Sequence, residues 1–550
     1  MNPSESNRSS ILTRTVADEA RLQAVRTFAD NVLTKGQDHF SGQNTPLFID
    51  GIHLDSADPV QWIFQDQRFT ISNLASQQNL FRTLDLLTRF CGVHKYRQAA
   101  EEAFRYHFDH LASDCGLLRW GGHQFVDLIT LQPVGRFDAD RHEFKFSFPY
   151  YELMWKVNPE ATKKFIRAFW NAHVLNWGNL DMNRHGAYDQ PMGKLWASTY
   201  QNPEPFFEGQ GLTFINCGTD LIYAGAMLHQ LGGEEGALEW SQRLAHQYVR
   251  ARHPETGLGV YQYSKPRRQQ QPPAVMTESR HTNSSYGDRA GNQFSQEFGE
   301  VAREGYAIFS GESIYGTNAL VQLHLAEYLG AKGANFLEWT IDGLKAYMKY
   351  GYMPQTNQFR PMWADGTDLT GFIFPRFGYY GPAGKTLSPS PASLSIWLSY
   401  ARAFRLTSDP EIWQMVRSIA KGYDLGDIGE KPMNEPSLNL DSTEADPLAI
   451  FAVLEIYRAI PHPFYLDLAR QLADNIIQQR FHQGFFLPSE KRIHASFNEV
   501  DPLAILAVEA ALQNQLAELP PYLASRGYIH GRYDGYGRTT DNHAIYSVTE

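Results

Sequence analysis

Apolar positions recur three and four residues apart over much of the chain, which is the period of an amphipathic helix. This spacing predicts helices within residues 16–39 and 73–113, where Leu80, Leu84 and Leu87 would share one face. Strand patterns are few and local. The chain is therefore expected to be dominated by helices.

Several helix boundaries can also be read from the sequence. Asn158 and Pro159 have the residue types of an N-cap and a first helical turn. The segments 218–232 and 316–330 both begin with Gly-Thr and end with Leu-Gly, where the glycine would close the helix. Their similar form indicates helices that are used repeatedly.

The clearest internal repeat lies near the C-terminus. Residues 444–453 recur as residues 499–508, and each copy contains an Asp-Pro pair that would cap and open a helix. The shift of 55 residues fits one helical hairpin with its loop. The repeat predicts an α/α toroid with at least six hairpins around a cleft, long rim loops and a few short strands.

The whole chain, residues 1–550, is expected to form this single toroid domain. Residues 264–303 interrupt the helical pattern with a stretch rich in Gln, Pro, Ser and Arg. Long loops of this kind are often lids or disordered, and the aromatic residues here favour a lid or pincer over the cleft. Residues 1–15 are expected to be disordered.

Composition limits the possible partners. The net charge is −11 and the longest basic cluster is residues 265–268, which argues against nucleic acid as a partner. The three cysteines have neither disulfide nor zinc spacing, and no apolar run is long enough for a membrane span. Without a recognisable signal peptide the protein is expected in the cytoplasm, or in the periplasm if a signal was removed.

Tryptophans are concentrated in one part of the chain. Five of the 11 lie between residues 120 and 196. Aromatic rings can stack on sugar faces in a carbohydrate-binding cleft, but a large helical core also buries tryptophan. The two interpretations remain equally open.

Three islands of polar residues carry the candidate chemistry. The central one, Leu180–Asp189, contains Arg184 and His185 and is predicted to be a loop or a helix end. The other two contain His123 and Glu143. Two imidazoles and a carboxylate would suit a first-row transition metal with an open coordination position. Alternatively, each histidine is a buried structural group and Arg184 pairs with a nearby aspartate.

A series of motifs in this region resembles polysaccharide lyase family 2: Trp120-Gly-Gly-His123, His142-Glu143, Pro149-Tyr-Tyr-Glu-Leu-Met-Trp155, Asn171-Ala-His173 and Asn183-Arg-His-Gly186. The resemblance is most specific over residues 115–230. It implies an (α/α)7 barrel and a pectate lyase that cleaves polygalacturonate by metal-assisted β-elimination, giving 4,5-unsaturated products.

The resemblance also implies roles for individual residues. The metal ligands would be His123, Glu143 and His185, with His142 as a second candidate beside Glu143, and Arg184 would be the base. The metal is expected to be manganese, with cobalt or nickel as alternatives. If Arg184 is not the base, then Tyr188, Lys194 or a metal hydroxide could act instead.

Further residues could bind an anionic galacturonan. Lys194 and Trp196 follow the Arg184–His185 segment closely, and Arg376, Tyr379 and Tyr380 form a second basic and aromatic loop. Arginine is well suited to a uronate carboxylate because its guanidinium can make two parallel hydrogen bonds. A cytoplasmic enzyme would meet imported oligosaccharides, which favours exolytic cleavage.

Other functions remain open at this level. An inverting glycoside hydrolase on the same fold would need two carboxylates, for which the candidates are Asp127, Glu152, Asp181 and Asp189. The substrate could be another uronic-acid polysaccharide, or the toroid could bind sugars without catalysis. Ultraviolet absorbance of an unsaturated product would distinguish a lyase from the hydrolase and the binding protein.

Overall fold

The computed structural model describes residues 14–64, 67–122, 124–135, 141–266, 288–488 and 492–523, and three short strands between residues 532 and 546. The predicted ligand His123, most of the predicted N-terminal tail and residues 267–287 of the predicted lid lie outside the described residues.

The described residues form fifteen α-helices, which are the main elements of the fold. Their bounds are α1 Val16–Asn31, α2 Gln78–Cys91, α3 Lys95–His110, α4 Tyr151–Val157, α5 Pro159–His173, α6 Ile215–Gly232, α7 Glu235–Arg250, α8 Arg289–Phe298, α9 Ala319–Leu329, α10 Ala334–Gly351, α11 Leu394–Thr407, α12 Pro410–Gly422, α13 Pro447–Ala459, α14 Pro463–Arg480 and α15 Asp501–Leu512.

The strands are short and lie in the connections between helices. Those in the first half are β1 Gly51–His53, β2 Gln61–Phe64, β3 Gln67–Ser72, β4 Phe125–Asp127, β5 Gln132–Val134, β6 Arg141–Glu143, β7 Val174–Asn176, β8 Asp181–Met182, β9 His185–Ala187, β10 Glu208–Gly209 and β11 Lys265–Pro266. Those in the second half are β12 Ala307–Ile308, β13 Tyr352–Met353, β14 Gln358–Phe359, β15 Met362–Trp363, β16 Ser390–Pro391, β17 Gly426–Asp427, β18 Ser437–Leu438, β19 Phe481–His482, β20 Phe485–Phe486, β21 His494–Ser496, β22 Arg532–Tyr533, β23 Gly537–Thr539 and β24 Ala544–Tyr546. The largest sheet has the order β24-β23-β22-β2-β3-β4-β5.

Seven helices form an inner ring: α2, α4, α6, α9, α11, α13 and α15. Each packs against an outer helix, and the outer set is α3, α5, α7, α10, α12, α14 and, next to α15, the N-terminal α1. The ring closes because α15 packs on α2, while the Tyr150 hydroxyl, just before α4, donates to Asp85 of α2. Helix-dominated toroid architecture is thus confirmed, with seven hairpins among the described residues.

The inner helices differ from the outer ones in their polarity. Every residue of α15 is buried, because an inner helix contacts both its ring neighbours and an outer helix. The outer α12 instead buries one side, with Ile412, Val416 and Ile419 facing inward. Burial on all sides therefore distinguishes the inner α15 from the outer α12.

The C-terminal repeat corresponds to two successive inner helices, α13 and α15, separated by the outer α14. In the first copy Asp446 caps α13 by accepting from the Leu448 N–H, as predicted. In the second copy the predicted cap is wrong. Asp501 lies inside the first turn and its carboxylate accepts from the Arg480 guanidinium instead.

The described part of the predicted lid region contains β11 at its start and α8 near its end. Helix α8 packs Phe294 against the buried Trp363, Phe374 and neighbouring aromatic residues. Whether residues 264–303 move over the cleft stays a prediction. In the described part of the chain, no helix combines the length and apolar character that a membrane span requires.

A buried histidine predicts how stability depends on pH. His107 of α3 lies beside Trp120, and burial lowers its pKa to about 3. An unfolded histidine has a pKa of roughly 6.5, so between these values the unfolded state binds a proton that the folded state does not. The free energy of unfolding should fall by up to about 4 kcal/mol as pH falls through this window.

His107→Phe should make the free energy of unfolding less dependent on pH between about 6.5 and 3. Urea unfolding at several pH values measures this, with the exposed His39→Phe as a matched control. Equal slopes for wild type and His107→Phe would contradict the prediction.

Candidate active site

The segment that carries Arg184 and His185 is held by a short β-ladder. Strands β6 and β9 are antiparallel, and their register pairs Glu143 with His185 and His142 with Gly186. The prediction of a loop or helix end is therefore wrong for His185, which begins β9. The local pattern was too short to reveal a strand whose partner lies 42 residues away in sequence.

The two faces of this ladder have different roles. Because side chains alternate across a strand, Glu143 and His185 share one face and His142 lies on the other. His142 is buried among Phe144 and Phe169, and its Nδ1 is 2.8 Å from His173 Nε2. Burial and the neighbouring His173 hold the pKa of His142 well below its usual range. The structure thus places His142 in the core and leaves Glu143 as the carboxylate of the site.

Glu143 is the centre of the charged cluster. Its side chain is buried, and its Oε1 lies 3.1 Å from Lys145 Nζ, 3.2 Å from Arg184 Nε and 3.4 Å from His185 Nε2. The Lys145 side chain is also buried. An isolated buried charge is costly. The Glu143 carboxylate and the cations of Lys145 and Arg184 offset this cost because they attract one another.

Local hydrogen bonds position the Arg184–His185 segment. The Asn183 side chain accepts from the His185 N–H, and the Asn183 carbonyl lies 2.8 Å from His173 Nδ1. Asp181 accepts from the backbone N–H groups of Gln210 and Gly211. These bonds leave Arg184 directed at Glu143 and not at Asp181.

Lys145 is positioned from α6. Asp220 accepts hydrogen bonds from the backbone N–H groups of Phe146, Ser147 and Phe148, which immediately follow Lys145. Burial raises the pKa of Asp220 to about 7, although these three donors favour the charged form. The first residue after Lys145 is thus anchored to the inner ring.

Two glycines allow the chain to approach Glu143 closely. Gly121 has a φ of +121°, and a Cβ there would lie 2.5 Å from the Glu143 carbonyl oxygen. Gly122 donates its N–H to the same carbonyl at 2.9 Å. The backbone of the site therefore requires glycine at position 121.

Gly121→Ala should displace Glu143. We expect cleavage to fall by about 100-fold, since small misplacements at a reacting centre are that costly. We also expect a loss of about 1–3 kcal/mol in the free energy of unfolding. Gly42→Ala is the matched control, because Gly42 also has positive φ but nothing lies within 4 Å of its Cβ position. Activity equal to that of Gly42→Ala would contradict this account.

A group of aromatic rings and Arg289 lies next to Arg184 of the charged cluster. The Phe214 ring lies between two guanidinium groups, 5.9 Å from Arg184 and 4.8 Å from Arg289. Arg289 also lies 3.9 Å from the centre of the Tyr379 ring and pairs with Glu304. Burial would lower the pKa of Arg289, but Glu304 holds it well above its usual range.

Sequence reasoning missed Lys145 and Arg289. The only local signal for Lys145 is its position two residues after Glu143, because it lies beyond the end of β6, in the bend that Asp220 anchors. Arg289 offers no such signal, since it lies just after residues 267–287 and far in sequence from the other charged groups. Its partners become visible through the packing of α8.

The predicted substrate-binding residues divide into two groups. The Tyr379 ring packs against Arg289, next to the Phe214 ring. Lys194 is exposed, and the Trp196 indole N–H donates to Glu234 at the start of α7. Arg376 pairs with Glu297, and Tyr380 packs on Phe294 and Phe309. These contacts hold Trp196, Arg376 and Tyr380 through residues other than Glu143, and the substrate-binding roles of all five residues stay predictions.

The alternative base Tyr188 is in the core. Its hydroxyl donates to the Trp120 carbonyl, and burial raises the pKa of its phenol. The five tryptophans of this region also pack into the protein: Trp120 and Trp170 are fully buried, Trp177 and Trp196 pack around Trp170, and Trp155 is partly buried against the core. The core interpretation of the tryptophan cluster therefore holds.

The residues of the ladder fit a divalent metal. Two donors about 2.1 Å from one tetrahedral ion are roughly 3.4 Å apart, which matches the spacing of Glu143 and His185. Within the described chain no group of three His, Cys, Asp or Glu side chains is placed to hold an ion. The expected third ligand, His123, lies outside it.

Two of the four carboxylates considered for a hydrolase have structural partners. Asp127 accepts from the Thr70 and Thr130 N–H groups, and Asp181 from Gln210 and Gly211. Asp189 is exposed, and Glu152 is the second residue of α4. The geometry therefore favours Glu143 with its cations over a pair of acid and base carboxylates.

Two comparisons with known proteins extend over most of the chain. The family model described as periplasmic pectate lyase matches residues 45–532. A pectate disaccharide-lyase of Dickeya dadantii (strain 3937) is 35% identical over 532 residues, which cover 93% of each chain.

Solved structures show weaker likenesses. An α-1,2-mannosidase from Trichoderma reesei gives a TM-score of 0.47 at 11% identity, covering 90% of this chain and 93% of that one. Cellobiose 2-epimerase from Bacillus thermoamylovorans B4167 gives 0.41 at 9% identity, covering 90% and 99%.

The sequence matches decide the assignment because they extend over most of the chain. The family's description names the periplasm, so the expected cytoplasmic location gains no support. The chain belongs to the periplasmic pectate lyase family and is a polysaccharide lyase.

Proposed function

We propose that this enzyme cleaves α-1,4-linked polygalacturonate or its oligosaccharides by metal-assisted β-elimination, with exolytic action. The observation that carries the proposal is the contact of Arg184 and His185 with the buried carboxylate of Glu143. A basic group and a candidate metal site thus lie within one cluster.

A divalent transition metal, with manganese preferred over cobalt or nickel, would be held by Glu143 and His185 with His123. It would supply Lewis-acid stabilisation of the charge that develops on the C6 carboxylate of the bound uronate. All other steps belong to the side chains of the cleft.

The cationic side chains orient the substrate. Lys145, Arg184 and Arg289 can attract the carboxylates of a galacturonan, and arginine can bind such a group with two hydrogen bonds. The rings of Phe214 and Tyr379, which contact Arg289, supply an apolar boundary. The Arg184 side chain is 11% exposed, so bound substrate would exclude most remaining water from it.

The reaction requires a base at C5. For this step Arg184 is in its neutral form; it takes the C5 proton and becomes a guanidinium cation, while the electrons of the C5–H bond form the C4=C5 double bond and the C4–O4 bond breaks. The oxygen of the leaving sugar departs as an oxyanion and takes a proton from water. The new non-reducing end is then a 4,5-unsaturated uronate.

The test is a product assay on polygalacturonate. We expect ultraviolet absorbance to rise as unsaturated product forms, and short oligosaccharides to appear while the viscosity of the polymer falls slowly. Saturated reducing ends without this absorbance would overturn the lyase mechanism. A rapid fall in viscosity would overturn exolytic action alone.

A further inference from the structure

A cavity lies apart from the cluster around Glu143, and none of its lining residues belongs to that cluster. The candidate active site is next to the N-terminus of α6, whereas this cavity is lined by residues of α9, α11 and α13 and by the start of α4. Its volume is about 450 Å³, and its lining includes Tyr328 of α9, Arg402 of α11 and Leu454 of α13. This volume is in the range of pockets that hold small molecules, about 300–1,000 Å³.

A packed layer separates the two sites. Tyr223 of α6 contacts Phe148 and Tyr151 with ring centres 5.8 and 5.4 Å apart, and all three side chains are buried. On one side of this layer Asp220 anchors the segment after Lys145, and on the other Tyr223 faces His324. The cavity is therefore distinct from the cleft where cleavage is proposed.

Arg402 is one of three arginines in the lining of the cavity, with Arg89 and Arg458. The residue is 8% exposed, and its Nε donates to Glu455 Oε1 at 2.8 Å. The acidic neighbours already have other partners, because Arg405 contacts both Glu455 and Glu327, and Arg458 contacts Glu327. No described residue supplies a hydrogen-bond partner for Arg402 Nη1.

Two more polar groups of the lining have unused hydrogen-bonding atoms. Among the described residues, neither His324 Nε2 nor Glu152 Oε2 has a partner. Burial lowers the pKa of His324 to about 3, which keeps its imidazole neutral, and burial also raises the pKa of Glu152. The side chains of His324 and Glu152 can both form hydrogen bonds with hydroxyl groups.

The cavity also offers aromatic faces. Tyr328 stacks on His324 with ring centres 5.3 Å apart, and Phe451 stacks on Tyr522 at 5.0 Å. Such rings can contact the apolar face of a sugar. Arg402, the hydrogen-bonding side chains of His324 and Glu152, and the aromatic faces together match a small polyhydroxylated carboxylate.

We propose that this cavity, lined by Arg402, His324, Glu152 and Tyr328, is a second, non-catalytic site that binds a small polyhydroxylated carboxylate such as a monomeric uronate. The Arg402 guanidinium would bind the carboxylate, and the side chains of His324 and Glu152 would bind the hydroxyls. The choice of a uronate rests on the proposed function, since uronates are the product class of that reaction.

The test uses D-galacturonate, which has no glycosidic bond to cleave, and isothermal titration calorimetry of the full chain. Arg184→Ala provides a background in which the catalytic cleft lacks one carboxylate-binding group. We expect saturable binding in this background, and binding at least tenfold weaker when Leu516→Trp is added to fill the cavity mouth. D-galactose should also bind at least tenfold more weakly, because it lacks the carboxylate.

Arg402→Gln and Arg405→Gln, each added to the same background, are a matched pair. Both remove a cation bonded to Glu455, but Arg405 is not part of the cavity lining. We expect Arg402→Gln to weaken binding at least tenfold and Arg405→Gln less than threefold. If the arginine variants unfold, Leu516→Trp still tests the proposal, because it leaves the ion pairs of Arg402 and Arg405 with Glu455 unchanged.

Several results would overturn the proposal: no saturable binding in the Arg184→Ala background, unchanged affinity in Leu516→Trp, or equal affinity for galactose. Failure of the enzyme to form unsaturated product from polygalacturonate would instead count against the proposed function. The two failures are thus distinguishable.

Discussion

Arg184→Ala should lower the rate of product formation by about 10³-fold or more, because a positioned base contributes about 10²–10⁴-fold and Arg184 would also bind substrate. Metal binding should survive, since Glu143 and His185 are unchanged. The measurements are the initial rate of unsaturated product and, separately, metal content after dialysis. The control is Arg417→Ala, which removes an arginine of the outer α12 that pairs with Asp427.

Arg184→Lys separates a base from a carboxylate clamp. The pKa of an arginine side chain in water lies far above pH 8, so its neutral form costs on the order of 6–8 kcal/mol at that pH, and the pKa of lysine is about 2–3 units lower. If Arg184 is the base, Lys should either lose activity through its shorter reach or retain a rate whose pH profile shifts downward. A near-normal rate with an unchanged profile would assign Arg184 as a clamp and direct attention to Lys145.

The sequence predicted the architecture well because local signals agree with the fold. Asn158 caps α5 by accepting from the Ala161 N–H, and Pro159 opens that helix, as its residue type indicates. The 55-residue repeat identified successive inner helices because both copies occupy equivalent positions in the ring. Asp501 broke the pattern because a nearby arginine offered a stronger partner than the helix backbone.

The candidate site was less accessible to sequence reasoning. The ladder that pairs Glu143 with His185 consists of three-residue strands, which leave no alternating pattern to detect. The family resemblance supplied these residues, and the structure added the cations around them. Lys145 and Arg289 reach the site through the bend held by Asp220 and the packing of α8, which depend on contacts distant in sequence.

Removal of metal should abolish product formation. We expect activity to disappear with a chelator and to return better with manganese, cobalt or nickel than with calcium, because imidazole ligands favour transition metals and calcium prefers oxygen. The measurement is the rate of unsaturated product after each metal is added to chelated protein. Full restoration by calcium alone would contradict a site built from two histidines and a carboxylate.

Two histidines on paired strands test whether the ladder faces divide as described. His185→Ala removes a predicted ligand at the cleft, so metal affinity should fall by about 100-fold or more with little change in stability. His142→Ala removes a side chain buried against Phe144 and bonded to His173, so it should cost about 2–4 kcal/mol of stability. Folded His142→Ala should still bind metal within about tenfold of wild type, since its side chain lies on the opposite face from Glu143. Calorimetric titration with manganese and urea unfolding measure both quantities for each variant. Loss of metal binding in His142→Ala with retention in His185→Ala would exchange their roles and remove His185 from the site.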